Sequence, residues 1–347
     1  MHATEPATLD AGDLAACRAL LRSGSRSFSW AAKLLPENVG APATALYAFC
    51  RRADDLIDMA DGDRPAALAA LHAQLDRVYA GAPRPVPEER LLTAVVETHR
   101  IPRALLDALL EGFAWDAHGR RYRSLAELRA YAARVAGSVG ALMTLLMGVR
   151  EHAVLARACD LGVAMQLTNI ARDVGEDARA GRIYLPLDWM SEAGIEVEAW
   201  LRAPVFTEPL GGVIERLLAA ADELYARSAA GVAGLPARCR PGIHAAQLLY
   251  AEIGADLRRH GLDALSRRAH VGAARKSQLV AVALWAATRP IEAMEGAPLP
   301  ETRFLVEAVP EEAGPVARPG RAEWLLELFE RLQERDQLAG RGPLGAR

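Results

Sequence analysis

The sequence predicts an all-α protein, on three observations. Alanine and leucine recur at helical spacing along nearly the whole chain, alternating β-branched runs bounded by turns are nearly absent, and Gly/Pro breaks separate helix-length segments. The chain has 347 residues, 51% of them hydrophobic, which is enough to bury a large core in one big domain or two modest ones.

In order along the chain, helices are expected over roughly 10–22, 39–60, 64–80, 88–99, 102–117, 124–147, 151–178, 208–234, 240–260, 271–288 and 321–337. ENVGAP, MADGDRP, AGAPRPVPEE and the RIP before Arg103 punctuate the first half. No repeat of fixed period is visible. From Arg289 to about Gly320 the composition turns to Pro, Gly and Glu, as in a linker or a chain draped over the surface. The expected organisation is therefore a main domain over 1–288 and a tail over 289–347. The tail ends in a short amphipathic helix that gathers Trp324, Leu325, Leu328, Phe329 and Leu332 on one side, read as docking back on the domain, with a membrane or partner contact as the alternative.

Composition excludes several function classes. A net charge of -3 leaves no basic face for nucleic acid. The four cysteines, Cys17, Cys50, Cys159 and Cys239, form no C-x-x-C pair, and the eight histidines form no H-E-x-x-H motif. The N-terminus lacks the basic and apolar regions of a secretory signal, and the apolar runs near 139–149 and 278–287 fall short of the ~18 residues of a membrane span. A cytoplasmic protein is expected.

Two helices concentrate polar groups on one face. In ALYAFCRRADDLID, Tyr47, Arg51, Asp54, Asp55 and Asp58 fall within about 100° of one another, although like charges at i, i+4 cost a helix ~0.2–0.5 kcal/mol unless something positive is held there. Taken singly, such a stripe is an ordinary solvated face. In QLTNIARDVGED, Gln166, Asn169, Asp173 and Asp177 lie within about 80°, after an apolar stretch that belongs in a core. Hard oxygen ligands one turn apart suit Mg²⁺ when water and phosphate complete its shell, and Arg51 and Arg172 add forks for phosphate oxygens. Two such helices facing each other make a polar lid over an apolar cavity.

For the cavity wall, Tyr131, Val135, Ser138 and Leu142 share one face of AYAARVAGSVGALM. Ala133, Ala136, Gly137, Gly140 and Thr144 form a small-residue stripe on nearly the opposite face, where another helix is expected to approach closely. On an ideal helix both stripes cannot line one cavity.

SGSRSF, ALYAFCRRADDLID, YAARVAGSVGALM and above all QLTNIARDVGEDARAGRIYLP resemble the squalene/phytoene synthase family, from about Leu14 to about Ala287. The resemblance implies a class I isoprenoid (prenyl-transferase) synthase bundle around a central apolar cavity. It implies Mg²⁺, with Mn²⁺ as a substitute, at Asp54, Asp58, Asn169, Asp173 and Asp177, bridging to substrate diphosphates. Arg51, Gln166, Arg172 and Arg182 match positions near the diphosphates, and Tyr250 and Arg267 or Arg268 match later ones at looser spacing. Tyr131 matches a cavity tyrosine, and Phe28 is a weaker candidate beside it for cation–π stabilisation.

The implied reaction joins two geranylgeranyl diphosphates head to head, through prephytoene diphosphate, to phytoene, with no nicotinamide. Alternatives are a relative using farnesyl diphosphate and, from another class, a non-catalytic helical binding or assembly protein. Because substrate and product are long and apolar, peripheral contact with the inner membrane is expected on physical grounds. The loop ARAGRIYLP reads equally as a closing flap or as an ordinary connection.

Overall fold

The computed structural model describes residues 9–22, 34–58, 64–289 and 296–311. Phe28 and the expected helix over 321–337 lie outside these, and so does the side chain of Asp58.

Helices follow one another as α1 (Ala11–Arg22), α2 (Glu37–Asp58), α3 (Arg64–Tyr79), α4 (Pro87–His99), α5 (Arg103–Ala117), α6 (Leu125–Ala132), α7 (Ser138–Leu146) and α8 (His152–Arg179). They continue as α9 (Leu187–Glu192), α10 (Val197–Arg202), α11 (Glu208–Ala229), α12 (Arg240–Arg259), α13 (Ala273–Ala286) and α14 (Arg303–Glu307). Among the described residues there is no strand, and no helix is long and apolar enough to cross a membrane.

Local chemistry sets these boundaries. Ser124 caps α6 by accepting from Glu127 N, while Glu127 Oε2 accepts from Arg123 N at 2.8 Å, a reciprocal arrangement that satisfies otherwise orphaned donors. Thr207 caps α11 through Leu210 N, with a proline in the first turn. ENVGAP, expected as a break, instead forms the opening turns of α2, which takes Pro42 inside it. The helix absorbs one lost bond there because its apolar face is buried from Val39 to Ile57.

The central element is α8, buried along most of its length and packed against α7, α11 and α12. Its neighbours come unusually close. A methyl on Gly140 would sit 2.2 Å from the Ala158 carbonyl oxygen, and one on Gly162 2.2 Å from that of Ala136. The small-residue stripe is thus a helix contact.

Between α6 and α7 the chain makes one π-helical turn, Ala133–Gly137. The wider turn shifts the angular phase of everything after it, so a wheel drawn through 131–144 as one α-helix misplaces its second half. Val135 from one stripe and Ala136, Gly140 and Thr144 from the other all line the same cavity, whereas Tyr131, Ser138 and Leu142, expected there, are buried outside its lining.

Residues 296–311 pack on the bundle. Thr302, Leu305 and Val309 are fully buried, α14 lies against α5, α7 and α8, and His152 Nε2 is 2.7 Å from the Val309 carbonyl oxygen.

Candidate active site

The helices that bear polar stripes deliver them to one end of the bundle. Asp54 lies in the last turn of α2, Asp173 and Asp177 in the last two turns of α8, and Tyr250 in the second half of α12. Arg51 pairs with Asp55 at 2.8 Å and with Asp54 at 3.8 Å. Arg172 donates to both carboxylate oxygens of Asp173, and Arg268 reaches Oδ1 of the same group at 3.0 Å and Glu176 at 3.3 Å. In each case an arginine fork sits on a carboxylate, a geometry equally suited to phosphate oxygens.

Sequence spacing left Arg267 and Arg268 both open and favoured Arg267 at this site. The structure turns Arg267 onto Asp256 at 2.8 Å and brings Arg268 to the second acidic stripe. The buried Asp256 carboxylate, which also accepts from His270 N, requires a cation and captures Arg267.

Between the two stripes lies a small polar cleft lined by Asp54, Arg64, Phe113, Asp116 and Arg182. Arg182 is placed there by the turn ending α8. Gly181 takes φ +71°, a left-handed value that glycine adopts without strain, and Arg182 N then donates to the Asp177 carbonyl at 2.8 Å. Burial, reinforced by the charge of Asp173 and opposed by Arg182, pushes the Asp177 carboxyl up to about 7. On the rim, Asn169 Oδ1 is buried with no hydrogen-bond partner among the described residues. Asn169, Asp173 and Asp177 are the donors present for a cation on this face. Among the described residues, no three His, Cys, Asp or Glu side chains gather closely enough to hold a metal ion unaided.

Asp116 and Tyr184 form the part of the site that sequence reasoning missed. The Asp116 carboxylate accepts from Tyr131 Oη at 2.7 Å and from Tyr184 Oη at 2.8 Å, and burial raises it to about 6 against the pull of those hydroxyls. The rings of Tyr131 and Tyr184 stack 5.4 Å apart, and Tyr122 lies 5.2 Å from Tyr131. Tyr184 belongs to the ARAGRIYLP loop, whose Ile183 and Leu185 are buried, so here the loop is a packed connection. Asp116→Ala is expected to release both hydroxyls and to lower turnover about 10- to 100-fold. Steady-state kinetics of the single and Tyr131→Phe double variants check this; additive losses would show that the two groups do not act together.

Behind the cleft a cavity of about 240 Å³ runs down the bundle. Gln166, Asn169 and Tyr250 mark its polar end, and Val135, Val139, Met143, Leu161 and Met165 its walls. This is below the ~300–1,000 Å³ of ordinary ligand pockets, so a long apolar guest must be admitted by side-chain rearrangement, for which the unbranched methionines are suited.

Fold and site together describe a helical prenyl-diphosphate enzyme. The sequence model of the squalene/phytoene synthase family matches residues 21–275, and the chain belongs to that family. It is 50% identical to the phytoene synthase of Cereibacter sphaeroides over 96% of this chain and 98% of that one. It is also 50% identical to the phytoene synthase of Rhodobacter capsulatus, over 94% and 97%. Among solved structures, a ligand-bound dehydrosqualene synthase superposes with a TM-score of 0.71 at 33% identity, covering 78% of this chain and 95% of that one. A squalene synthase from Alicyclobacillus acidocaldarius gives 0.67 at 29% identity, covering 72% and 94%.

Proposed function

We propose that the protein is a phytoene synthase, joining two geranylgeranyl diphosphates head to head through prephytoene diphosphate, with Mg²⁺ and without a reductant. The observation that carries this reading is the gathering of both acidic stripes and four arginines at the polar end of one deep apolar cavity. The near full-length likeness to two phytoene synthases supports this choice of substrate.

The donor set fits Mg²⁺. Separated hard carboxylates with the unpartnered Asn169 Oδ1 leave coordination positions for diphosphate oxygens and water. Asp54, Asn169, Asp173 and Asp177 would hold the ions, together with Asp58, and bound Mg²⁺ supplies charge neutralisation on the departing diphosphate. Arg51, Arg172 and Arg268 move their forks from carboxylate to phosphate oxygens and Arg182 adds its charge in the cleft, so that charge developing on the leaving group meets preplaced donors. The apolar walls keep water from the allylic cation, and Tyr131, fixed through Asp116, holds its place in the tyrosine stack beside the cleft.

Metal removal tests the electrostatic part. EDTA is expected to abolish diphosphate release from geranylgeranyl diphosphate, and Mg²⁺ to restore it. Turnover that persists in EDTA would overturn the assignment of the two acidic stripes.

A further inference from the structure

Away from the mouth, the cavity meets an ionic cluster that the proposed reaction does not use. Asp160 is fully buried, and its Oδ2 lies 3.1 Å from Arg157 Nε and 3.1 Å from Arg227 Nε. Both arginines also donate to the carbonyl oxygen of Ala297, at 3.0 and 3.1 Å, and Ala297 lies 140 residues beyond Arg157 in the chain. Among the described residues, Arg157 is the one charged side chain lining the apolar cavity, and its stem is wedged against Gly231, where a methyl would come within 2.2 Å of its Cβ.

The position of the cluster follows from the direction of the helices. Asn169 marks the mouth on α8, and the lining continues down that helix to Arg157 and Val154, about 22 Å away at helical rise. Met147, at the end of α7, and Val232 and Leu235, just after α11, meet it there. Methionine and leucine walls yield to a longer guest by changing rotamer. An ionic cluster does not, because moving Arg157 would leave the Asp160 carboxylate short of a partner in a buried site. The gripped segment also braces the π turn: Leu305 lies 3.4 Å from where a Cβ on Gly137 would be, and Phe304 lies under the Arg134 guanidinium at 5.1 Å. Residues 296–309 lie beyond the stretch matched by the family model, whereas Arg157, Asp160 and Arg227 lie within it.

We propose that the Arg157–Asp160–Arg227 cluster and the 296–309 segment it grips are the end wall of the tail cavity and set the longest isoprenoid tail the protein accepts. The tail chemistry rests on the proposed function; the wall itself rests on the contacts above.

The test measures binding of non-reacting thio-diphosphates bearing three, four or five isoprene units to the full-length protein. Wild type, Arg157→Ala and Arg227→Gln are compared, with a thermal melt of each. Wild type is expected to bind the five-unit tail about tenfold more weakly than the four-unit tail or worse, and Arg157→Ala to remove about tenfold of that discrimination. Arg227→Gln, which loosens the grip without touching the cavity, is expected to remove about threefold, with the affinity for shorter tails unchanged. A five-to-four ratio that stays put in both variants, whatever their melting temperatures, overturns the proposal, as does a wild type that does not discriminate. If Arg157→Ala fails to fold, the ratio in Arg227→Gln decides alone. Length-dependent binding without turnover of geranylgeranyl diphosphate would sink the assigned reaction and leave the wall standing.

Discussion

Asp173→Ala is expected to lower turnover about a thousandfold while leaving the fold in place. Asp173 is where the second acidic stripe meets its arginines: Arg172 holds both of its oxygens and Arg268 one. Removing the carboxylate takes away a proposed cation ligand and also the group that holds both forks. Stability is expected to fall by about 1–3 kcal/mol, since Arg268 is 54% exposed and regains water while Arg172, only 18% exposed, loses the carboxylate that held its fork. Asp173→Asn, which keeps the shape and loses the charge, is expected to be as inactive as Asp173→Ala. Diphosphate release measured beside a thermal melt checks both; an active, folded Asp173→Asn would show that the charge is not needed.

Gly162→Ala carries the largest expected effect on stability, a loss of about 3 kcal/mol. The new methyl would lie 2.2 Å from the Ala136 carbonyl oxygen and 3.0 Å from Gly137 N, both backbone atoms that move only if α8 separates from the π turn. Gly212→Ala is the control: it is exposed on α11 with nothing within 4 Å, and is expected to be neutral or to stabilise by up to ~1 kcal/mol. Urea unfolding of the two variants gives the comparison. Because Gly162 also lines the cavity, the same methyl is expected to weaken binding of long tails.

Long helices were legible because their apolar spacing repeats over many turns; α8, expected over 151–178, runs from His152 to Arg179. The six-residue α9 and α10 and the five-residue α14 were not, since one or two turns leave too little periodicity to read. Both acidic stripes were visible, because charge repeated at one-turn spacing is a local pattern. Asp116 was invisible for the opposite reason: it is a lone carboxylate at the end of α5, and only the tertiary fold brings Tyr131 and Tyr184 to it. The π turn escaped as well. Nothing in ARVAG departs from helical composition, yet one widened turn decides which of Val135, Ser138 and Leu142 reaches the cavity. Arg267 and Arg268 are adjacent, and the choice between them was made by Asp256 on a different helix.

On the proposed function, two twenty-carbon tails are joined in the cavity behind the paired acidic stripes. The most direct measurement is the mass and retention of the hydrocarbon formed from geranylgeranyl diphosphate and Mg²⁺ with no nicotinamide present. A forty-carbon hydrocarbon with the retention of phytoene is expected, absent in EDTA and in Asp173→Ala. A protein that forms no such product, or that turns over farnesyl diphosphate alone, would contradict it.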